Sequence, residues 1–497
     1  MILAVALAGF RERRRRPAYA IVLLAAVGLG YLAVPATSSH WTIVSLGDYR
    51  GVYNSAYTGT VAALAGALWL CVGGFYVVRT ALAQDRATGV RELLVTSRLR
   101  SASYLIGTFL GNFLVLASMA GALALTAVLM QLARGESHSI APGALLQPFV
   151  LLTLPVLAVT AALAVFWETV PGLRGGLGNV VWFGVALVGM IAAQSPTAPL
   201  GGLGTGLLTD SLQAAMTSQG LRPEDGAIGF MYLDTPPTTF RWNGLPLSAS
   251  LVSQRALLVL CAVVVALVPA LWFGRLSPLR SSDGPARPTG DLTTPDAPPV
   301  AYPRGAVLAR STFGRLVVGE ARILLSGISR WWWPVAVVLF VAAIVVPQRA
   351  VAPLLLASWG WPVLVWSRLG MRGRDVGVDT LLAACPGPVA RLLAEWIAGV
   401  AFTAVVGGAA IVRLGLSDSI GAVFIPSLAL LLGLVSGAPR LFQAGYLTLW
   451  WCVVNEFAGL DYLGVVAGGP GSWEIAATAL VLLGSAVAVT VVRERLR

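Results

Sequence analysis

Twelve runs of about 20 apolar residues occupy most of this chain, and a run of that length is stable mainly as a helix across a hydrocarbon layer. They fall at 17–36, 57–78, 104–131, 145–167, 176–194, 252–274, 331–347, 350–367, 392–412, 418–437, 442–463 and 473–492. Only 11% of the residues are charged and 57% are hydrophobic, whereas a soluble globule carries roughly 25% charge. The expected fold is therefore an all-α polytopic membrane protein with about twelve transmembrane helices. Pro148, Pro155, Pro334 and Pro426 fall within the runs, where neighbouring helices can re-satisfy the freed backbone groups.

All 34 basic residues are arginine, and they cluster beside the apolar runs. With the N-terminus in the cytoplasm, the groups at 11–16, 79–100, 275–330 and 368–391, with Arg174, Arg440 and the C-terminal arginines, all lie inside. Outside remain Arg50, Arg134, Arg222, Arg241, Arg255, Arg349 and Arg413. This asymmetry predicts cytoplasmic termini in a multi-pass cytoplasmic (plasma) membrane protein. It also explains the basic excess better than nucleic-acid binding, which would place arginines along one helix face.

The hexapeptide Gly89-Val90-Arg91-Glu92-Leu93-Leu94 returns as Gly377-Val378-Asp379-Thr380-Leu381-Leu382. The same spacing pairs Leu105 with Leu393 and Gly111 with Gly399 without a gap. The chain thus reads as a tandem duplication of two six-span halves. The first half is 1–275, with a cytoplasmic loop at 79–103 and a large outer loop at 195–251 that holds a short helix around 207–217. A Pro/Ser/Thr/Gly-rich flexible linker covers 276–305. The second half is 306–497, with an interfacial helix over 306–330 and a cytoplasmic loop at 368–391. Phe313, Val317 and Leu324 share one face of that helix, and Arg315, Gly319 and Arg322 the other. Residues 1–16 predict a matching surface helix before the first span, rather than a cleaved leader.

The first cytoplasmic loop reads Asp85-Arg86-Ala87-Thr88-Gly89-Val90-Arg91-Glu92-Leu93-Leu94, and Gly107 stands near the start of the next span. Asp85, Gly89, Glu92, Leu93, Leu94 and Gly107 match the signature loop of the ABC-2 type permeases, and the chain resembles that family. Arg98 stands where the family usually has proline and Thr108 where it has lysine. The second copy keeps Pro386 and Pro388 but has Thr380 for the glutamate and Glu395 for the glycine. The resemblance implies a permease for export of a small hydrophobic or amphipathic substrate: a drug, a natural product or a lipid. It also implies that both loops dock on an ABC ATPase in two copies, which would bind ATP and Mg. The docking residues it implies are Asp85, Arg86, Gly89, Glu92, Leu93, Leu94 and Arg98 in the first loop. In the second they are Arg374, Asp375, Gly377, Asp379, Leu381 and Leu382. Exposed arginines around paired leucines suit such a contact, although positive-inside arginines and leucines packed on the membrane surface would look the same.

The absence of lysine excludes a P-loop on this chain, so any ATP must be bound by another polypeptide. Scattered cysteines and the lone His40 and His138 offer neither a disulfide framework nor a metal constellation, and no catalytic residue is expected. A membrane-embedded lipid-linked-sugar transferase would need paired acids in the first outer loop, where Asp48 stands alone. A secondary transporter would need membrane carboxylates for ion coupling.

Polar residues within spans are costly and mark a possible substrate path at Asn112, Asn179, Asn455 and Glu456. Asn112 and Asn179 equally suit interhelical hydrogen bonds. Glu456 lies within the eleventh run, unless that span ends near Asn455 and 456–470 re-enters, with Glu456 and Asp461 facing water.

Overall fold

In the computed structural model the described residues are 1–37, 39–79, 100–195, 198–222, 226–233, 235–273, 313–326, 328, 332–371, 387–415, 420–466 and 468–495. All thirteen docking residues implied by the two loops, and the linker 276–305, lie outside them.

Helix α1 (Ile2–Arg14) and helix α2 (Pro17–Ala33) meet at a bend of 80°. Pro17, at the first position of α2, ends α1 because it offers no N–H to continue the ladder. The first half continues with α3 (Ser55–Val78), α4 (Ser101–Arg134), α5 (Pro142–Thr169), α6 (Gly176–Ala193), the short α7 (Thr205–Ser218) and α8 (Ala249–Trp272). In the second half stand α9 (Phe313–Leu325), α10 (Trp332–Val345), α11 (Gln348–Trp366), α12 (Pro388–Leu414), α13 (Gly421–Ser436), α14 (Pro439–Val454) and α15 (Ser472–Arg495).

Among the described residues, eight helices are long and apolar enough to cross a membrane, or nine if α1 and α2 form one broken span. Four expected runs give shorter helices, namely α2 with 17 residues, α10 with 14, and α13 and α14 with 16 each. Run 442–463 falls short for a visible reason. Helix α14 stops at Val454, and Glu456 takes a left-handed φ of 57°, which no helix accommodates. The chain then turns on Asp461, whose carboxylate accepts from Leu463 N (2.9 Å), Gly464 N (3.0 Å) and Val466 N (2.7 Å). Asp461 is fully buried rather than facing water as expected, while Glu456 is exposed.

The helix pairing of the first half recurs in the second. Helices α1, α2, α3 and α5 pack on α4, and α9, α10, α11 and α13 pack on α12. The last helix of each half packs on the fourth: α8 on α5 and α15 on α13. Glycines make the closest approaches possible. A Cβ on Gly107 of α4 would lie 2.7 Å from Val5 Cβ, and one on Gly111 would lie 3.1 Å from Ala6 O, so these two glycines seat α1. Gly399, the counterpart of Gly111, lets Pro426 of α13 approach instead. In α9 Leu324 is buried, while Phe313, expected on the same packing face, is exposed with Arg315 and Arg322. Helix α3, rich in Ala, Gly, Ser and Thr, is buried over 78% of its apolar window, against 17% for α15, and is the central element of the first half.

One small sheet departs from an all-helical fold. Strands β1 (Trp41–Leu46), β2 (Tyr49–Gly51), β3 (Gly226–Tyr232) and β4 (Thr238–Phe240) form a sheet of order β3-β1-β2-β4. It joins the loop between α2 and α3 to the loop 195–251, whose helix α7 lies where the sequence places one. An ion pair ties the sheet to the α4–α5 turn: Arg50 donates to Glu136 through Nη1 (2.9 Å) and Nη2 (3.0 Å). Nearby, Trp242 is buried edge-on against Tyr57 of α3. The second half has no sheet of this kind among its described residues.

Candidate functional site

The two halves meet where α6 and α14 cross, with the end of α3 alongside. The seam is polar at its centre. Asn179 of α6 donates to Gln443 of α14, and Gln443 donates to Ser367 Oγ (3.1 Å) just beyond α11. Tyr76 of α3 donates to the Asn179 carbonyl (2.7 Å). Both amide side chains are buried, so each hydrogen bond spares a desolvated polar group that would otherwise cost about 1–3 kcal/mol.

Towards the arginine-rich end of the molecule the seam becomes charged. Arg79, the last described residue before 80–99, donates to the Leu173 carbonyl and to that of Gly175 (3.3 Å) in the α5–α6 turn. Arg440 of α14 donates to the Arg79 carbonyl (3.0 Å) and so crosses between halves. The buried Glu168 carboxylate lies within electrostatic range of both guanidiniums. Arg174 closes the same turn by donating to the carbonyls of Glu168 (3.1 Å) and Thr169 (2.9 Å). In the second half, Glu395 of α12 accepts from Gly370 N (2.9 Å). Glu395 therefore holds the chain just before residues 372–386.

Beside the seam lies a cavity of about 510 Å³, walled by α2, α3, α13 and α14 and reached by α1. Its walls include Val22, Ala25, Trp69, Leu428, Leu432 and Leu449, and Arg13, Arg16 and Arg440 also line it. The volume lies within the roughly 300–1,000 Å³ of sites that hold drug-sized ligands.

The four membrane candidates are not brought together. Asn112 is buried and donates to the Ala161 carbonyl (3.4 Å), linking α4 to α5. Asn179 adjoins the cavity through Tyr76. Asn455 is exposed and caps α14 by donating to the Trp451 carbonyl (2.8 Å), with the exposed Glu456 next to it. Sequence reasoning missed Gln443, Tyr76 and Glu168. The first two sit in apolar helices and were legible as intramembrane polar groups, whereas the role of Glu168 depends on α14 from the other half.

Asp48 is exposed in the β1–β2 turn. Among the described residues no group of three or more His, Cys, Asp or Glu side chains is placed to hold a metal ion. Compared with known protein families, curated proteins and solved structures, the chain finds no match.

Proposed function

We propose that the chain is the permease of an ATP-driven exporter of the ABC-2 type, with both halves on one polypeptide and ATP hydrolysed by a separate subunit in two copies. On this reading α2, α3, α4, α5, α6 and α8 cross the cytoplasmic membrane, as do α10 to α15, giving twelve crossings with both termini inside. Segregation of the ends supports the orientation. The segments at Arg13, Arg79, Arg174 and Arg440 gather at one end, while Arg50, Glu136 and the sheet gather at the other.

The observation that carries the reading is the cavity at the seam between two similarly packed halves, beside the residue that enters the first signature loop. Motion of that loop would pull on Arg79 and, through Arg440, on α14 of the opposite half. Closure of an ATPase dimer beneath the loops would thereby tilt the halves about the α6–α14 seam and turn the cavity outward. The substrate would be a small hydrophobic or amphipathic molecule.

Purification of the full chain from its native host, with mass spectrometry of what accompanies it, tests the reading. A stoichiometric P-loop ATPase is expected, and Glu92→Lys or Leu381→Asp should release it. Absence of any such ATPase, with no ATP hydrolysis following the chain through purification, would sink the exporter reading and favour a secondary transporter.

A further inference from the structure

The hydroxyl groups on the cavity wall are already spent within the protein. Tyr19 shares a hydrogen bond with Ser118 Oγ (3.0 Å), Tyr76 donates to the Asn179 carbonyl (2.7 Å), Ser436 to that of Leu432 (2.6 Å) and Thr448 to that of Ala444 (2.8 Å). The arginines that reach the cavity are engaged as well: Arg16 with Glu12, Arg440 with the Arg79 carbonyl, and Arg13 with a partner of its own. A charged ligand would have to break such contacts to be held among apolar walls, so the complementary occupant is uncharged. One polar atom differs. The indole N–H groups of Trp167, Trp359 and Trp450 each donate to a backbone carbonyl, whereas among the described residues the N–H of Trp69, half-buried on the cavity wall, donates to none. A carbonyl oxygen on the ligand would satisfy it.

Glycine leaves that indole uncovered. Gly74 of α3 is needed for packing, since a Cβ there would lie 2.5 Å from Leu116 Cδ2. Its neighbour Gly73, on the cavity wall, is not: a Cβ there would meet nothing but Trp69 itself, 3.8 Å from Cε2 and 3.9 Å from Cζ2 and Nε1. On α14 a Cβ on Gly445, also on the wall, would meet only Leu432 Cδ1, at an ordinary 3.7 Å. Alanine fits both positions and favours a helix over glycine. What glycine provides at each is open space on the wall, and at Gly73 that space lies against the indole. A flat aromatic ring is the shape that gains most from packing on an uncovered indole.

We propose that the cavity binds a flat, uncharged aromatic ketone or quinone, its ring packed against Trp69 and its carbonyl oxygen on Trp69 Nε1, with Gly73 and Gly445 setting the width of the site. The inference rests on the exporter reading only for the step that follows binding, in which this molecule is the cargo; the binding itself requires no ATPase.

The test is binding of tritiated anthraquinone to the purified full-length chain by scintillation proximity, with anthracene and an aliphatic ketone of equal carbon number as competitors. Saturable binding of anthraquinone is expected, with anthracene, which lacks the acceptor, and the aliphatic ketone, which lacks the ring, each competing about fivefold more weakly than unlabelled anthraquinone. Trp69→Phe keeps a ring but removes the N–H, and should bring anthraquinone and anthracene to equal affinity. Gly73→Val and Gly445→Val should each weaken anthraquinone about tenfold or more by filling the site. Gly484→Val, at an exposed position of α15 with nothing near it, should change nothing. Absence of saturable binding by the unaltered chain would overturn the proposal, as would equal competition by the aliphatic ketone. So would a preference for anthraquinone over anthracene that survives Trp69→Phe, or binding untouched by both valine substitutions in the cavity, since either would place the ligand elsewhere. Loss of anthraquinone binding with the ATPase still accompanying the chain would remove this inference alone; binding retained with no ATPase would remove the exporter reading alone.

Discussion

Substituting Glu136 by glutamine is expected to loosen the cap formed by the small sheet, and the geometry sets the size of the effect. Glu136 accepts from Arg50 Nη1 at 2.9 Å and Nη2 at 3.0 Å, and from Tyr53 N at 2.9 Å. Arg50 is 3% exposed, packs its guanidinium 4.3 Å from the Tyr53 ring centre, and donates to the Gly51 carbonyl. A surface pair is worth about 0–1 kcal/mol, but stranding a buried arginine costs about 3–5 kcal/mol. The Glu136 side chain is 27% exposed, so water offsets part of the loss, and a cost of about 2–4 kcal/mol is expected. The assay is equilibrium unfolding of the purified chain in mixed sodium dodecyl sulfate and maltoside micelles, followed by tryptophan emission. A double-mutant cycle of Arg50→Gln with Glu136→Gln isolates the pair. A coupling energy below about 0.5 kcal/mol would refute the reasoning, because the pair would then act as two independent surface groups.

The same pair sets a pH dependence. Burial raises the Glu136 pKa, but hydrogen bonds from Arg50 and Tyr53 N and the Arg50 charge outweigh it, leaving the carboxyl below its ordinary value. A depressed folded pKa contributes stability above the unfolded value of about 4.3, which is lost as the pH falls through the folded one. Cap stability should therefore be flat from neutral pH down to about 5 and decline below about 4, and Glu136→Gln should lack that decline. Burial pushes the Tyr53 phenol up to about 12, so it stays neutral over this range.

Gly107→Leu should lift α1 from α4. In a background with the four native cysteines replaced, Ala6→Cys, buried in the intact chain, should then react with a maleimide; protection unchanged by Gly107→Leu would count against that packing. Asn179→Leu and Gln443→Leu should each destabilise by about 1–3 kcal/mol in the micelle assay, and the double variant should cost clearly less than the sum; strict additivity would mean that the two amides do not share a bond across the seam. Asp461→Ala should speed deuterium exchange at Leu463, Gly464 and Val466, whose amides its carboxylate holds, and unchanged exchange would contradict the turn.

Helical, membrane-spanning character was legible in the sequence because it depends on run length and on backbone groups that lipid cannot satisfy. The hexapeptide repeat and the unbroken pairing of Gly111 with Gly399 are likewise properties of the sequence alone, and the two sets of helices pack in a similar pattern. Asn112 and Asn179 were legible as costly polar groups, though not their partners, since Gln443 lies 264 residues beyond Asn179. The end of α14 was half legible. Its polar Asn455 and Glu456 marked a break, but the carboxylate of Asp461 was expected in water because nothing local revealed the three amides that surround it.

Tertiary structure alone decided which distant segments meet. Strand β1 pairs locally with β2 only at its end, and its long partner β3 comes from the loop 195–251; the alternation within so short a segment cannot announce a neighbour nearly two hundred residues away. Arginines 13, 16 and 440 belong to opposite halves, and each read singly is an orientation signal. Only packing of α1, α2, α13 and α14 places them on one cavity. Apolar length and arginine position are properties of a segment, and so the sequence determines them by itself; a site is a property of surfaces brought together, and no single segment carries it.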